Sequence, residues 1–210
     1  MKALLTEFIG TFFLVLTIGL VVATGTDLAP IAIGSVLMVM VYMGGHVSGA
    51  YYNPAVALAG VMRGVLPTKD FGPYVVAQVL GATLAAYASS WMVGSTFAPE
   101  PSGGVVAALL AETLYTFALT LVVLNVAVSA KTKGNSYYGL AIGFTVMAAA
   151  FAVGGISGAA FNPAVGIGAT VINALLANGS WNSLWIYIVG PITGAALAAV
   201  AFGVQERSEA

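Results

Sequence analysis

Long apolar runs dominate the chain, separated by short segments of turn-forming or charged residues. A helix needs about 20 mainly apolar residues to cross a hydrocarbon core about 30 Å thick. Six runs come close to or exceed that length, at 5–25, 31–47, 72–93, 106–129, 137–154 and 183–203. The pattern therefore predicts an all-α membrane protein with six transmembrane helices.

Two further apolar segments, 54–62 and 163–177, are too short to cross a membrane. They begin inside near-copies, SGAYYNPAV from Ser48 and SGAAFNPAV from Ser157, which agree at seven of nine positions. Asparagine at an N-cap followed by proline is a favourable helix start, so we predict half-spanning helices from Asn53 and Asn162. The Gly-rich stretches 44–49 and 154–158 are predicted as extended loops, whose carbonyls would line a water-filled cavity.

The near-copies indicate an internal duplication within one membrane domain. Glu7 and Glu112 each lie early in the first helix of a half, and each is followed four residues later by Thr-Phe. The repeats are predicted at 1–104 and 105–210. With three spans in each half, the second half enters from the opposite side, which makes the repeat an inverted one.

Charge is scarce, at 6% of residues with a net charge of −1, and the mean hydropathy is +1.01. That balance excludes a soluble fold and a basic surface for nucleic acid. The first run is expected to be retained rather than cleaved, because Glu7 interrupts a signal-peptide pattern. Threading the six spans puts every basic residue on one side: Lys2, Arg63, Lys69, Lys131, Lys133 and Arg207.

By the positive-inside rule, that side is cytoplasmic. We therefore expect a multi-pass protein of the cell inner or plasma membrane with both termini in the cytoplasm. With one histidine and no cysteine, we expect no metal site, no cofactor and no catalytic residues. The sequence favours a transport protein over an enzyme.

The chain resembles the major intrinsic proteins, the family of aquaporins and glycerol facilitators, over essentially its whole length. The resemblance is carried by the paired boxes, by Glu7–Phe12 (EFIGTF) and by Val189-Gly190-Pro191. The resemblance implies six tilted helices and two half-helices that meet at mid-membrane. It also implies a homotetramer in the lipid bilayer, with one pore per subunit. The implied activity is passive passage of water, small neutral solutes, or both.

The two Asn-Pro-Ala boxes have a physical interpretation of their own. A helix N-terminus carries about half a positive charge. Two such ends, with the asparagine amides, would donate hydrogen bonds to a neutral oxygen and repel cations, including hydronium. Alternatively, the asparagines are only helix caps. The pore motifs are Asn53, Pro54 and Ala55 in the first box and Asn162, Pro163 and Ala164 in the second.

The chain departs from its family at the narrow filter, where most members carry an arginine after the second box. Here the residue is Val165, and the family's spacing places the other filter positions at Ile33, Ala150 and Ala159. A wide, apolar filter is expected to be less selective for water than that of a strict water channel, so ammonia, urea, glycerol or gases are alternative solutes. Gly166 stands where glycerol channels carry Asp and water channels Ser, and it supports neither subtype.

Several residues have two interpretations. The candidate pore-loop residues are His46, Gly49 and Gly158. Of these, His46 is either a pH-sensitive pore residue or a hydrogen-bonded loop residue. Glu7 and Glu112 are proton relays or structural carboxylates that accept hydrogen bonds from the box loops, as the resemblance implies. A secondary transporter, which also uses inverted repeats and broken helices, and a non-conducting scaffold remain rival functions.

Overall fold

The computed structural model describes residues 1–206, and within that range it consists of helices, turns and loops without a β-strand. Arg207 lies outside the described residues. Six long helices are each apolar enough to cross a membrane: α1 (Lys2–Thr24), α2 (Ala29–Ser48), α4 (Thr68–Val93), α5 (Val105–Val123), α6 (Tyr138–Ser157) and α8 (Ile186–Gln205). Two shorter helices, α3 (Pro54–Met62) and α7 (Pro163–Ala177), complete the chain order.

The six predicted spans are confirmed, with ends that differ by a few residues. A π-helical turn, Leu124–Val128, continues α5, and a 3-10 turn follows at Ala130–Thr132. Both short helices begin at the proline of a box, with Asn53 and Asn162 as N-caps.

The prediction of extended loops over 44–49 and 154–158 is wrong for most of both segments. Helix α2 continues to Ser48 and α6 to Ser157, so that only Gly49 and Gly158 lie beyond the helices. Helical hydrogen bonds satisfy backbone groups that would otherwise be costly at membrane depth. Glycine is needed inside α2 for a packing reason, because a Cβ on Gly44 would overlap the hydroxyl of Tyr52.

The helices pack closely through small residues. Helix α1 packs against α2 and α4, α5 packs against α6 and α8, and α2 also contacts α6. At the crossing of α2 and α6, a Cβ on Gly34 would lie 2.6 Å from the carbonyl oxygen of Gly143. Helices in lipid associate through such close approaches. The half-helices cross between the halves of the chain, with α3 against α8 and α7 against α4.

The two ends of the bundle differ in charge. The end we call the basic face carries Lys2, Arg63, Lys69, Lys131 and Lys133 at helix ends and connections. Contacts between the chain segments there include Arg63 over the ring of Phe202, at 5.4 Å. The opposite end is called the acidic face, because the charged residues that the structure describes there are Asp27 and Glu100.

Candidate functional site

The two boxes meet at the centre of the bundle through reciprocal hydrogen bonds. Asn53 Nδ2 donates to the carbonyl oxygen of Phe161 at 2.8 Å, and Asn162 Nδ2 donates to that of Tyr52 at 2.8 Å. Each asparagine is only 4% exposed. Each also caps its own helix, since Oδ1 accepts the N–H of Ala55 or Ala164 at 2.9 Å.

The capping interpretation and the pore interpretation of the asparagines are therefore compatible. A side-chain amide has two N–H groups, and the bond to the opposite loop uses one of them. Both side chains also line a central cavity. The second N–H of each amide takes no part in these bonds.

The box loops have an unusual backbone that needs external support. Beyond Gly49 and Gly158, non-glycine residues also take positive φ: Ala50 at 50°, Tyr52 at 50°, Ala159 at 52° and Phe161 at 48°. Such conformations cost on the order of 1–3 kcal/mol each and persist only where surrounding contacts enforce them. Two buried carboxylates provide those contacts.

Glu7 lies on α1, is fully buried, and accepts four hydrogen bonds. Three come from the first box loop, donated by Ser48 Oγ at 2.6 Å, Tyr51 N–H at 3.0 Å and Tyr52 N–H at 2.7 Å. The fourth is donated by Gln78 Nε2 on α4 at 2.8 Å. The carboxylate thus ties the loop to two long helices.

Glu112 on α5 has the corresponding place in the second half and is also fully buried. It accepts hydrogen bonds from Ser157 Oγ at 2.8 Å, Ala160 N–H at 3.0 Å and Phe161 N–H at 2.6 Å. Both glutamates contact the loops rather than the central cavity, whose lining residues do not include them.

Sequence reasoning missed three polar residues that brace the loops from α4 and α8. The hydroxyl of Tyr74 donates to the carbonyl of Ser48 at 3.0 Å, and that of Tyr187 donates to the carbonyl of Ser157 at 2.7 Å. Gln78 contacts Glu7, as described above. The sequence feature that could have identified these residues is a polar side chain within an apolar run, because a polar atom at membrane depth needs a hydrogen-bond partner.

The central cavity is narrow, with a volume of about 40 Å³. A cavity needs roughly 10–15 Å³ of such volume to admit one water, so the central cavity is large enough for water. The two asparagines supply its side-chain amides, and most of the wall is apolar. The aliphatic wall residues come from four long helices and both half-helices and include Leu14, Leu37, Val41, Val56, Leu119, Ile142, Val146 and Val165.

A larger cavity adjoins this central one at each end. The vestibule on the basic face has a volume of about 680 Å³ and shares Val41 and Ile142 with the central cavity. The vestibule on the acidic face has a volume of about 290 Å³ and shares Ile18 and Ile33 with it. Three adjoining cavities thus lie in a row between the faces, and the smallest of them is the one that the asparagines line.

The four expected filter residues surround the junction with the acidic-face vestibule. Ile33, Ala159 and Val165 line both cavities, and Ala150 lines the vestibule. All four are apolar. Next to them, a Cβ on Gly166 would lie 2.7 Å from the Cβ of Tyr187, so there is no room for the Asp or Ser of other subtypes.

The remaining pore-loop residues lie away from the narrow part. His46 is exposed and lines the basic-face vestibule with Gly49. Gly158 lines the acidic-face vestibule. No cluster of potential metal ligands occurs among residues 1–206.

The fold closely matches a solved structure, the aquaglyceroporin from Plasmodium falciparum, with a TM-score of 0.86. That match covers 96% of this chain and 94% of the other at 20% identity. Among sequence relatives, aquaporin NIP1-1 of Zea mays is 38% identical over 81% of this chain. The alignment covers 60% of the maize protein, so the chain spans about that share of its length.

Other relatives align over more of their length. Aquaporin NIP1-4 of Oryza sativa subsp. japonica is 37% identical, with 97% of this chain and 77% of that protein covered. Aquaporin AqpM of Methanothermobacter thermautotrophicus is 32% identical over 96% of both chains. Residues 1–202 match the family model described as major intrinsic protein. The paired boxes, the fold and these relatives together show that the chain belongs to the major intrinsic protein family.

Proposed function

We propose that the protein is a passive transmembrane channel for water and small neutral solutes. The observation that carries this proposal is the row of three adjoining cavities between the two faces, the smallest of which lies where Asn53 and Asn162 meet. An aqueous path with fixed donors at its constriction suits neutral molecules that exchange one hydrogen bond for another. Membership of a family whose relatives are named aquaporins supports the same activity.

The proposed filter is wide and apolar. Ile33, Ala150, Ala159 and Val165 offer no donor and no charge at the junction of the cavities. An arginine there would supply five donors and a fixed positive charge. Without it, a solute is compensated less for lost water, which favours weakly hydrated solutes such as ammonia and dissolved gases. The small side chains of Ala150 and Ala159 leave more width for larger solutes such as urea and glycerol. We therefore infer that ammonia, urea, glycerol or dissolved gases pass alongside water or in preference to it.

Cation rejection then depends on the half-helices. The N-termini of α3 and α7 end at the central cavity, where each presents about half a positive charge, and the amides of Asn53 and Asn162 add donors. A positive potential in a narrow, apolar cavity disfavours hydronium and metal ions.

For topology and assembly, we propose what the sequence predicts. We propose two inverted repeats, 1–104 and 105–210, which the cross-packing of α3 on α8 and α7 on α4 supports. The basic face is proposed to be cytoplasmic, with both termini there, in a plasma or cell inner membrane. A homotetramer is proposed from the family resemblance.

A secondary transporter is the main rival. Coupling to an ion gradient normally uses ionisable groups at the midplane site. Glu7 and Glu112 are the carboxylates at that depth in the described chain, and hydrogen bonds from the box loops occupy both oxygens of each. This arrangement favours a structural role for both and a passive channel.

Stopped-flow light scattering on proteoliposomes tests the proposal with water, glycerol, urea and ammonia in turn. We expect permeability above that of empty vesicles for water and for at least one of the other solutes. A non-conducting scaffold would leave every solute at the rate of empty vesicles, which would overturn the proposal. Passage of water alone would overturn the poorly selective filter.

A further inference from the structure

The acidic-face vestibule has one polar side chain in its wall. Glu100 lines this cavity, and every other described residue that lines it is a glycine or has an apolar side chain. Glu100 is therefore the one charged residue among those that line this cavity, which adjoins the proposed filter. The remaining wall consists of Ile18, Val22, Ala29, Pro30, Ile33, Phe97, Ala98, Pro99, Ala150, Gly154, Gly158, Ala159 and Val165.

Glu100 is held at this mouth by its surroundings. The connection between α4 and α5 crosses the vestibule, and Pro99 in this connection is buried. It packs closely against Gly158, because a Cβ on that glycine would lie 3.0 Å from Pro99. Downstream, the N–H of Gly103 donates to the carbonyl of Ile156 at 3.0 Å. The hydroxyl of Ser183 donates to Glu100 Oε2 at 3.3 Å. The main chain is thus anchored on both sides of the carboxylate.

The nearest charged side chain to the vestibule is that of Glu100, which belongs to a residue of its wall. The basic residues of the described chain lie on the other face, a helix of 20 or more residues away. At 1.5 Å per residue that separation is about 30 Å, which exceeds the Debye length of about 10 Å at 0.1 M salt. Asp27, the other charged residue of the acidic face, is exposed and does not line the vestibule.

We propose that this vestibule binds small monovalent cations that donate hydrogen bonds, namely ammonium and short alkylammonium ions, with the Glu100 carboxylate as acceptor. Ammonium N–H groups form strong charge-assisted bonds to carboxylates, and an alkyl group suits the apolar wall. One carboxylate does not provide the six or more oxygen ligands of a Ca²⁺ site.

The effect of this binding on transport rests on the proposed channel function. The bound cation cannot enter the apolar filter, so one N–H bond breaks and the proton passes to water in the vestibule. The neutral amine, which keeps the electron pair, then crosses. Glu100 raises the local concentration of the protonated form, which is the abundant one at neutral pH.

The test is uptake of labelled methylammonium into proteoliposomes, selected through a C-terminal tag for vesicles with the acidic face outward. We expect E100Q to lower the initial rate about fivefold at low salt, the factor for about 1 kcal/mol between unit charges 4 Å apart in water. At 1 M salt, where the Debye length is about 3 Å, the two rates should converge. Water permeability of the same E100Q vesicles is the reference, and methylammonium uptake should fall relative to it.

D27N is the matched control, because it removes a carboxylate from the same face but not from the vestibule. We expect it to change methylammonium uptake by less than about twofold. An unchanged rate in E100Q at low salt would overturn the proposal, and so would an equal fall in D27N, which would indicate a general surface charge.

Binding is also measured without transport, through line broadening of ¹³C-methylammonium by the detergent-solubilised protein. We expect broadening with the parent and with D27N and a loss of it with E100Q. Equal broadening with E100Q would overturn the cation site. Parent vesicles that pass no solute faster than empty ones, with selective broadening retained, would instead overturn the channel function alone.

Discussion

At the scale of single residues, the pore depends on a few side chains that each make several contacts. Asn53 caps α3, donates to the loop of the other box and lines the central cavity. Val165 is only 3% exposed and contacts both the central cavity and the acidic-face vestibule. Substitutions at such positions should separate permeation from stability.

Val165→Arg should reduce the permeability to urea and glycerol by about tenfold, which corresponds to about 1.4 kcal/mol of added barrier. The guanidinium would enter the junction of the two cavities, narrow it and add a fixed charge. Stopped-flow measurements on vesicles check this, with water as the reference solute.

Val165→Met is the matched control, because it adds length without charge. We expect urea and glycerol to pass the methionine variant faster than the arginine variant. Urea transport as fast in Val165→Arg as in the parent would contradict the assignment of this position to the filter.

Glu112→Gln should destabilise the protein by about 1–3 kcal/mol. The change removes the charge and replaces one acceptor oxygen with an N–H donor, which then faces the N–H of Phe161 or Ala160. Denaturant unfolding in detergent measures the loss. A Glu112→Gln protein with parental stability and altered proton flux would instead support the proton-relay interpretation.

At the scale of elements, the two half-helices depend on how closely the box loops approach α1 and α2. The ring of Tyr52 occupies the space that a side chain on Gly10 or Gly44 would need, and its hydroxyl donates to the carbonyl of Met40 at 2.9 Å. The loop carbonyl of the same residue accepts from Asn162. Packing against α2 is thereby connected to the position of the second box.

Gly44→Ala should therefore displace Tyr52 and lower both stability and permeability. Gly45→Ala is the neighbouring control, since its Cβ would meet its nearest atom, in the Tyr138 ring, at an ordinary 3.5 Å. Overpacking costs about 1–3 kcal/mol, which we expect for the first variant alone in thermal unfolding with parallel permeability assays. Equal behaviour of the two variants would contradict this role of Tyr52.

The sequence was sufficient for the helices because the apolar runs match the length needed to cross a bilayer and because Asn-Pro marks each half-helix start. It was misleading at Gly44 and Gly154, where glycine serves helix packing or a cavity wall instead of an extended loop. It did not identify Tyr74 and Gln78, since their partners lie 26 and 71 residues away in sequence. Such long-range bonds depend on the packed fold and not on local periodicity.

At the scale of the whole molecule, the charge distribution and the pore form one arrangement. The basic face carries the lysines, the acidic face carries Glu100 at a vestibule, and the wall of the central cavity between them is mostly apolar apart from the asparagines. Since no arginine occupies the proposed filter, we expect the exclusion of ions to depend on the two helix N-termini.

The parent protein should accordingly show no proton conductance above that of the lipid alone in voltage-clamped bilayers under a pH gradient. A proton ionophore serves as the positive control, and water permeability of the same preparation shows that the channel is active. A proton current that grows with the amount of protein would contradict cation exclusion by the half-helices.

The most direct test of a passive pore is the dependence of the solute flux on concentration and on ion gradients. We predict that the initial rate of urea entry into proteoliposomes rises linearly with urea concentration. We also predict that it stays the same when proton and sodium gradients are imposed or collapsed with ionophores. Saturation at modest urea concentration together with a response to either gradient would contradict the channel and indicate a coupled transporter.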